Sequence, residues 1–175
     1  VNRQKKEIKR KEQLELLKVT PIDRFSSKYR FLSNFWTPVK IQAHNLIYQS
    51  TEAAYQATKS LDPKIWQEFT SLTPSQAKQQ GNLIECRLDW DDIKDEIMFE
   101  LLIQKFVQTN FKQLLLATSP RPLIEGNNWH DVYWGVCNGC KKRGPHASFG
   151  ENKLGEMLMK IRKQLEMNST TENKL

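Results

Sequence analysis

The spacing of apolar residues changes from alternating to helical within the first third of the chain, and that change sets the expected architecture. Two short extended runs, 39–41 and 46–48, flank Ala43-His44-Asn45, where His44-Asn45 supplies turn chemistry for a hairpin. From there the signals are helical. Ser50 and Thr51 are N-cap candidates for "TEAAYQATKS" (51–60), and Asp62-Pro63 and Thr73-Pro74 each place a capping side chain before a proline suited to a first helical position. Gly81 is placed to end the helix that follows Thr73. A longer helix is predicted over "DWDDIKDEIMFELLIQKF" (89–106), with an acidic first turn and with Ile93, Ile97, Leu101 and Met98, Leu102 at helical spacing. The last helix begins near Asn152; Leu154, Met157, Leu158, Ile161 and Leu165 share one face, and Lys160 and Lys163 turn outward. The pattern predicts a mainly α protein with a small β element near its start.

A chain of 175 residues is long enough for one domain with appendages. Residues 1–18 carry seven Lys/Arg against three Glu, +4 of the total +7, which leaves +3 for the remainder. The body is therefore only mildly basic, and the division expected is a basic arm or helix (1–18), a catalytic domain (19–167) and a polar tail (168–175). No run approaches the roughly 18 apolar residues of a spanning helix, and no secretory leader is evident, so the expected location is the cytoplasm. Three cysteines, an odd number, argue against a disulfide framework.

Candidate chemistry falls on two stretches. In the 51–60 helix, Glu52, Tyr55, Gln56 and Lys59 project from one face, while Ala53, Ala57 and Leu61 form a small-residue face able to sit close to a neighbour. In "EGNNWHDVYWG" (125–135), Asp131 stands between Trp129 and Trp134 with hardly an aliphatic nearby. Aromatics around a carboxylate suit a flat ligand ring that is stacked while a neighbouring bond is polarised. Glu52 can equally be an ordinary first-turn carboxylate, and Asp131 an exposed loop acid. Cys137-x-x-Cys140 with His130 and His146 is a modest zinc signal; ordinary loop thiols are the default, and no metal or other cofactor is expected.

Taken together, "RFLSNFW" (30–36), "IYQSTEAAYQATKS" (47–60), "CRLDW" (86–90), "IMFELLIQKFVQTN" (97–110), "LLLATSPRPLIEG" (114–126), "DVYWG" (131–135) and "FGENKLGEMLMKIR" (149–162) resemble, in order, the blocks of the YbiA-like or NADAR family. The resemblance runs from about residue 25 to 165. It implies a single-domain orthogonal helical fold and hydrolysis of an N-glycosidic bond between ribose and a base or amine. Two substrate classes are implied: phosphorylated intermediates of riboflavin biosynthesis, and ADP-ribose on guanine, free or in nucleic acid. Family motif positions fall on Glu52, Trp90, Asp131, Trp134 and Gly135, and also on Asn34, Tyr48, Lys59, Arg87 and Asn152. Two departures stand out. Gly81-Asn82 replaces a frequent Gly-Arg, and Gly150-Glu151-Asn152 a frequent Gly-Lys-Asn.

Ribosyl C–N cleavage passes through an oxocarbenium-like sugar, which calls for negative charge near C1′, a proton for the leaving nitrogen and a positioned water. Glu52 suits the charged role and Asp131 the acid, although the two could be exchanged. Trp90 and Phe35 could sandwich the base, and Arg87 and Lys59 could meet a phosphate or diphosphate. Lys141-Lys142-Arg143 and the basic arm tilt toward a polyanionic substrate. A non-catalytic module that binds ADP-ribose or a nucleotide is the alternative. No membrane association is expected, and protein partners are not indicated.

Overall fold

A computed structural model describes residues 19–139 and 148–172, with side chains through 169. The basic arm (1–18), Cys140, the Lys141-Lys142-Arg143 triplet and His146 lie outside the described residues. The described chain groups into two compact units, 30–113 and the segments flanking it.

In the unit spanning 30–113, β1 (Ile41–Ala43) pairs antiparallel with β2 (Leu46–Tyr48), Ala43 opposite Leu46. Only His44 and Asn45 remain for the turn, with φ of 53° and 59°. A two-residue loop with both central φ positive is the turn whose twist matches that of the strands, and asparagine tolerates that conformation well. The first strand starts at Ile41, two residues later than the sequence suggests.

The caps read from sequence are in place. Ser50 opens α1 (Thr51–Ala57), its hydroxyl accepting from Ala53 N at 3.0 Å. Asp62 opens α2 (Pro63–Phe69), accepting from Lys64 N at 2.9 Å. Thr73 opens α3 (Pro74–Gly81) in a capping box, with Gln76 Oε1 accepting from Thr73 N at 3.0 Å and Thr73 Oγ1 from Gln76 N at 3.3 Å. Next comes α4 (Trp90–Phe106), with Asp91 and Asp92 in its first turn and Met98, Leu101, Leu102 and Phe106 buried. Every residue of α1 is buried. It packs against α2, α3, α4 and the hairpin, which makes it the centre of this unit rather than a helix with one wet face. Leu61, expected on its small-residue face, is instead 62% exposed.

The flanking unit holds a second sheet that periodicity does not reveal. There β3 (Gly126–Asn127) runs parallel to β4 (Val136–Asn138), which pairs antiparallel with β5 (Ser148–Phe149). Ile22 bridges to Leu123. Arg121 ties the N-terminal segment down, donating to Thr20 O at 2.7 Å, Pro21 O at 3.0 Å and the Tyr29 hydroxyl at 2.6 Å. In α6 (Lys153–Glu172), Leu154, Leu158, Ile161 and Leu165 are buried while Lys160 and Lys163 face solvent. That helix continues past position 167 into the stretch expected as a polar tail. A short helix not foreseen is α5 (Thr109–Leu116), with Leu115 buried.

Candidate active site

Glu52 lies in the first turn of α1 and is 4% exposed. Its Oε1 accepts from Gln56 Nε2 at 2.7 Å and stands 3.8 Å from Lys78 Nζ on α3. A carboxylate so nearly excluded from water needs such partners, because taking an unpaired charge out of water is costly. The i,i+4 spacing that puts Gln56 within reach is legible in the sequence, whereas Lys78 arrives through the packing of α1 on α3. That packing is close: a methyl at Gly81 would meet the Gln56 side chain, 2.6 Å from Cδ and 2.8 Å from Cβ.

Asn34 sits beside Glu52, since the Asn34 carbonyl accepts from Glu52 N at 3.1 Å. The Asn34 amide donates to Met98 Sδ at 3.4 Å, and its Oδ1 is buried without a hydrogen-bond partner among the described residues. Lys105, which the sequence reading passed over, fixes this loop from beneath. It is fully buried, donates to Ser33 O at 2.8 Å and lies 5.2 Å and 5.6 Å from the Phe106 and Phe111 ring centres. Burial pushes its pKa down to about 7.

The other expected binding residues of this unit divide by use. Tyr48 is a core residue: it is fully buried, its hydroxyl donates to Trp66 O at 3.1 Å, and burial pushes its pKa up to about 12. Trp90 is 8% exposed, with its ring 5.0 Å from that of Tyr55. Phe35 is half-buried. Lys59 donates to Gly81 O at 2.9 Å, and burial chiefly lowers its pKa. Arg87 N donates to Lys59 O at 2.8 Å, which brings these two bases together; the Arg87 guanidinium forms a fork with Asp89 at 2.6 Å and 2.9 Å.

In the flanking unit, Asp131 is half-buried and Trp129 is 68% exposed, so that tryptophan is not part of an enclosing wall. Asp131 Oδ1 accepts from Tyr133 N at 3.2 Å and Trp134 N at 2.9 Å, and Asn127 brackets the Asp131 backbone with bonds of 2.7 Å and 3.1 Å. The aspartate is therefore a turn-former as well as a candidate acid. Tyr133 and Trp134 meet edge to face at 5.0 Å. Gly135 is required by close approach: a Cβ there would run into the Glu125 carbonyl oxygen. Asn152, at φ 55°, spends its amide on protein backbone, accepting from Glu125 N at 3.0 Å and donating to Leu123 O at 3.0 Å. Its N–H donates to Gly135 O at 3.4 Å.

Glu125 is a second titratable residue, after Lys105, that sequence reasoning missed. One carboxyl oxygen, Oε2, is buried with no partner among the described residues; burial, and then Asp131, push its pKa up to about 7. Its one sequence signal is a second acid in the same aromatic stretch, six positions before Asp131.

Among the described residues no group of three or more His, Cys, Asp or Glu could hold a metal ion, and no helix is long and apolar enough to cross a membrane. Cys86 is a free, exposed thiol; Cys137, buried in β4, is disulfide-bonded, which corrects the expectation of an ordinary loop thiol there.

Comparison with known proteins bears on both units. The NADAR domain model matches residues 22–166. The N-glycosidase YbiA of Escherichia coli is 34% identical over 146 residues, 80% of this chain and 84% of that protein. An N-glycosidase of Nostoc punctiforme is 31% identical over 144 residues, 78% of this chain and 86% of its own. A riboflavin biosynthesis protein of Vibrio vulnificus is 32% identical over 142 residues, which is 78% of this chain and 35% of that longer protein. The NMR structure of Escherichia coli YbiA superimposes with a TM-score of 0.70 at 31% identity, covering 86% of this chain and 88% of that one. By the extent of these matches and by its fold, this chain belongs to the NADAR domain family.

Proposed function

We propose that this protein is an N-glycosidase, a hydrolase that cleaves the bond between a phosphorylated ribosyl group and a base or amine. The observation that carries the reading is Glu52, a carboxylate 4% exposed, hydrogen-bonded by Gln56 and faced by Lys78, in a chain whose relatives in Escherichia coli and Nostoc punctiforme are named N-glycosidases. A charge kept in such surroundings is stabilised by fixed donors and need not reorganise as positive charge builds on the sugar. Glu52 would stabilise the developing cation at C1′ and take a proton from the attacking water. The Asp131 loop would supply the acid side, and Trp90 with Phe35 aromatic surfaces for the leaving base. Asn34, with its unsatisfied buried Oδ1, is the polar contact we assign to the ribose. Lys59 and Arg87, adjacent through their backbones, are assigned to the phosphate.

The riboflavin-biosynthesis names of relatives in Vibrio vulnificus and Arabidopsis thaliana favour a small ribosylamino-pyrimidine phosphate. The charge of +4 in residues 1–18 favours the second class, ADP-ribosylated guanine in nucleic acid. Offering each substrate separately to the wild type and to Glu52→Gln and Asp131→Asn variants tests the reading. Turnover of one substrate identifies the class; Glu52→Gln should lose at least about 100-fold in kcat, and Asp131→Asn should be impaired as well. Binding of ADP-ribose without turnover of either substrate would replace the enzyme with a reader module, and full activity in both variants would reject the site.

A further inference from the structure

We propose that Glu125 supplies the proton to the leaving nitrogen, with Asp131 as its like-charged neighbour; this rests on the N-glycosidase reading and assigns the acid that reading leaves to the Asp131 loop. Glu125 stands at the root of that loop, immediately before β3, and its backbone is held from two sides. Its N–H donates to Asn152 Oδ1 at 3.0 Å, and its carbonyl accepts from Val136 N at 2.8 Å. Gly135 gives the side chain its room, since a Cβ at 135 would lie 3.2 Å from Glu125 Cγ. Asp131, fixed by Asn127 and by the N–H groups of Tyr133 and Trp134, is the charge that acts on it.

The structural alternative is a carboxyl kept for stability. Such a group should have its buried oxygen hydrogen-bonded, but Oε2 has no partner among the described residues. A buried unpaired oxygen beside a second acid destabilises the fold, and features that cost stability without structural return concentrate where function requires them. Burial and the Asp131 charge keep the proton on Glu125 up to about pH 7. A carboxyl whose burial and acidic neighbour hold its proton is placed to act as a general acid. Among the described residues other ionisable groups stand near this loop, and His130 lies within it, its ring edge to face with Phe149 at 5.6 Å. At the start of α6, Glu151 and Lys153 face one another at 3.9 Å, with Lys153 Nζ 5.8 Å from the Tyr133 ring centre; from the N-terminal segment, Asp23 brings its backbone carbonyl against Gly126.

The step balances. As the C1′–N bond breaks, the Glu125 proton passes to the departing nitrogen; water adds to C1′ and releases its proton to solvent. The products are the free sugar, the neutral base, ionised Glu125 and a solvated proton, and uptake of a proton from solvent restores the acid.

A general acid is dispensable when the leaving group needs no proton. Wild type, Glu125→Gln and Asp131→Asn are therefore compared on the N-linked substrate the enzyme turns over and on para-nitrophenyl riboside 5-phosphate. Glu125→Gln should lose about 100-fold or more in kcat on the N-linked substrate and the alkaline limb of its pH profile, yet stay within a few-fold of wild type on the nitrophenyl compound. Asp131→Asn should move the alkaline limb to lower pH. Equal losses on both substrates, or an unchanged pH profile in Glu125→Gln, would overturn the assignment. A wild type that cleaves no N-riboside would instead defeat the parent reading, and circular dichroism of each variant separates lost chemistry from lost folding.

Discussion

At the scale of single residues, Glu125 yields a prediction that does not depend on any substrate. Its pKa rises from 4.5 to about 7 in the folded protein, so between those values the folded state holds a proton that the unfolded chain has released. Stability must then fall as pH rises through this window, by about 3 kcal/mol at most, and level off above pH 7. Below pH 4.5 both states are protonated and the group contributes nothing to the difference. Urea denaturation at pH 4 and pH 8 should find wild type and Glu125→Gln alike in acid and the variant more stable at pH 8. A variant less stable at pH 8 would show that the carboxylate is satisfied by contacts of its own. The residue was hidden in the sequence because burial of one acid within a mixed aromatic and polar stretch leaves no periodic trace. Glu52 was legible for the opposite reason, since its helical position, its i,i+4 partner and its neighbours in "QSTEAAYQATKS" are all local.

At the scale of elements, what is written locally could be read and what is written through packing could not. The His44-Asn45 turn and the Ser50, Asp62 and Thr73 caps each depend on residues within three or four positions, and all were foreseen. The parallel pairing of β3 with β4 is set by residues ten apart, over strands too short to carry an alternating pattern. The same distinction applies to Gly81, read from sequence as a helix stop, because its absent side chain also lets α3 meet Gln56 of α1. Helix propensity alone would have Gly81→Ala gain about 0.5–1 kcal/mol. Contact with Gln56 Cδ and Cβ at 2.6 Å and 2.8 Å sets an overpacking cost of about 1–3 kcal/mol against that gain, so the net change should be destabilising. The same change should disturb the Gln56 bond to Glu52 and lower kcat. A more stable Gly81→Ala protein would mean that the two helices have room to spare.

At the scale of the whole molecule, the two substrate classes proposed above would meet the charge of the chain differently, and the distribution of that charge gives a way to decide between them. Residues 1–18 carry +4 of the net +7 and precede the NADAR match, which begins at residue 22. If the natural substrate is a nucleic acid bearing ADP-ribosylated guanine, that segment should add affinity by releasing counterions, with a log–log salt slope of about −0.7 per phosphate neutralised on a single strand. Removing residues 1–18 should then leave kcat on a small ribosyl phosphate within a few-fold of the full chain at every salt concentration. On an ADP-ribosylated oligonucleotide it should flatten the salt dependence of kcat/KM by about 2–3 in slope between 50 and 200 mM salt. Equal slopes for the two proteins would take the basic segment out of substrate recognition and leave the small phosphorylated riboside as the favoured class. The mild charge of +3 over the rest of the chain is consistent with either outcome, so the comparison turns on the segment alone.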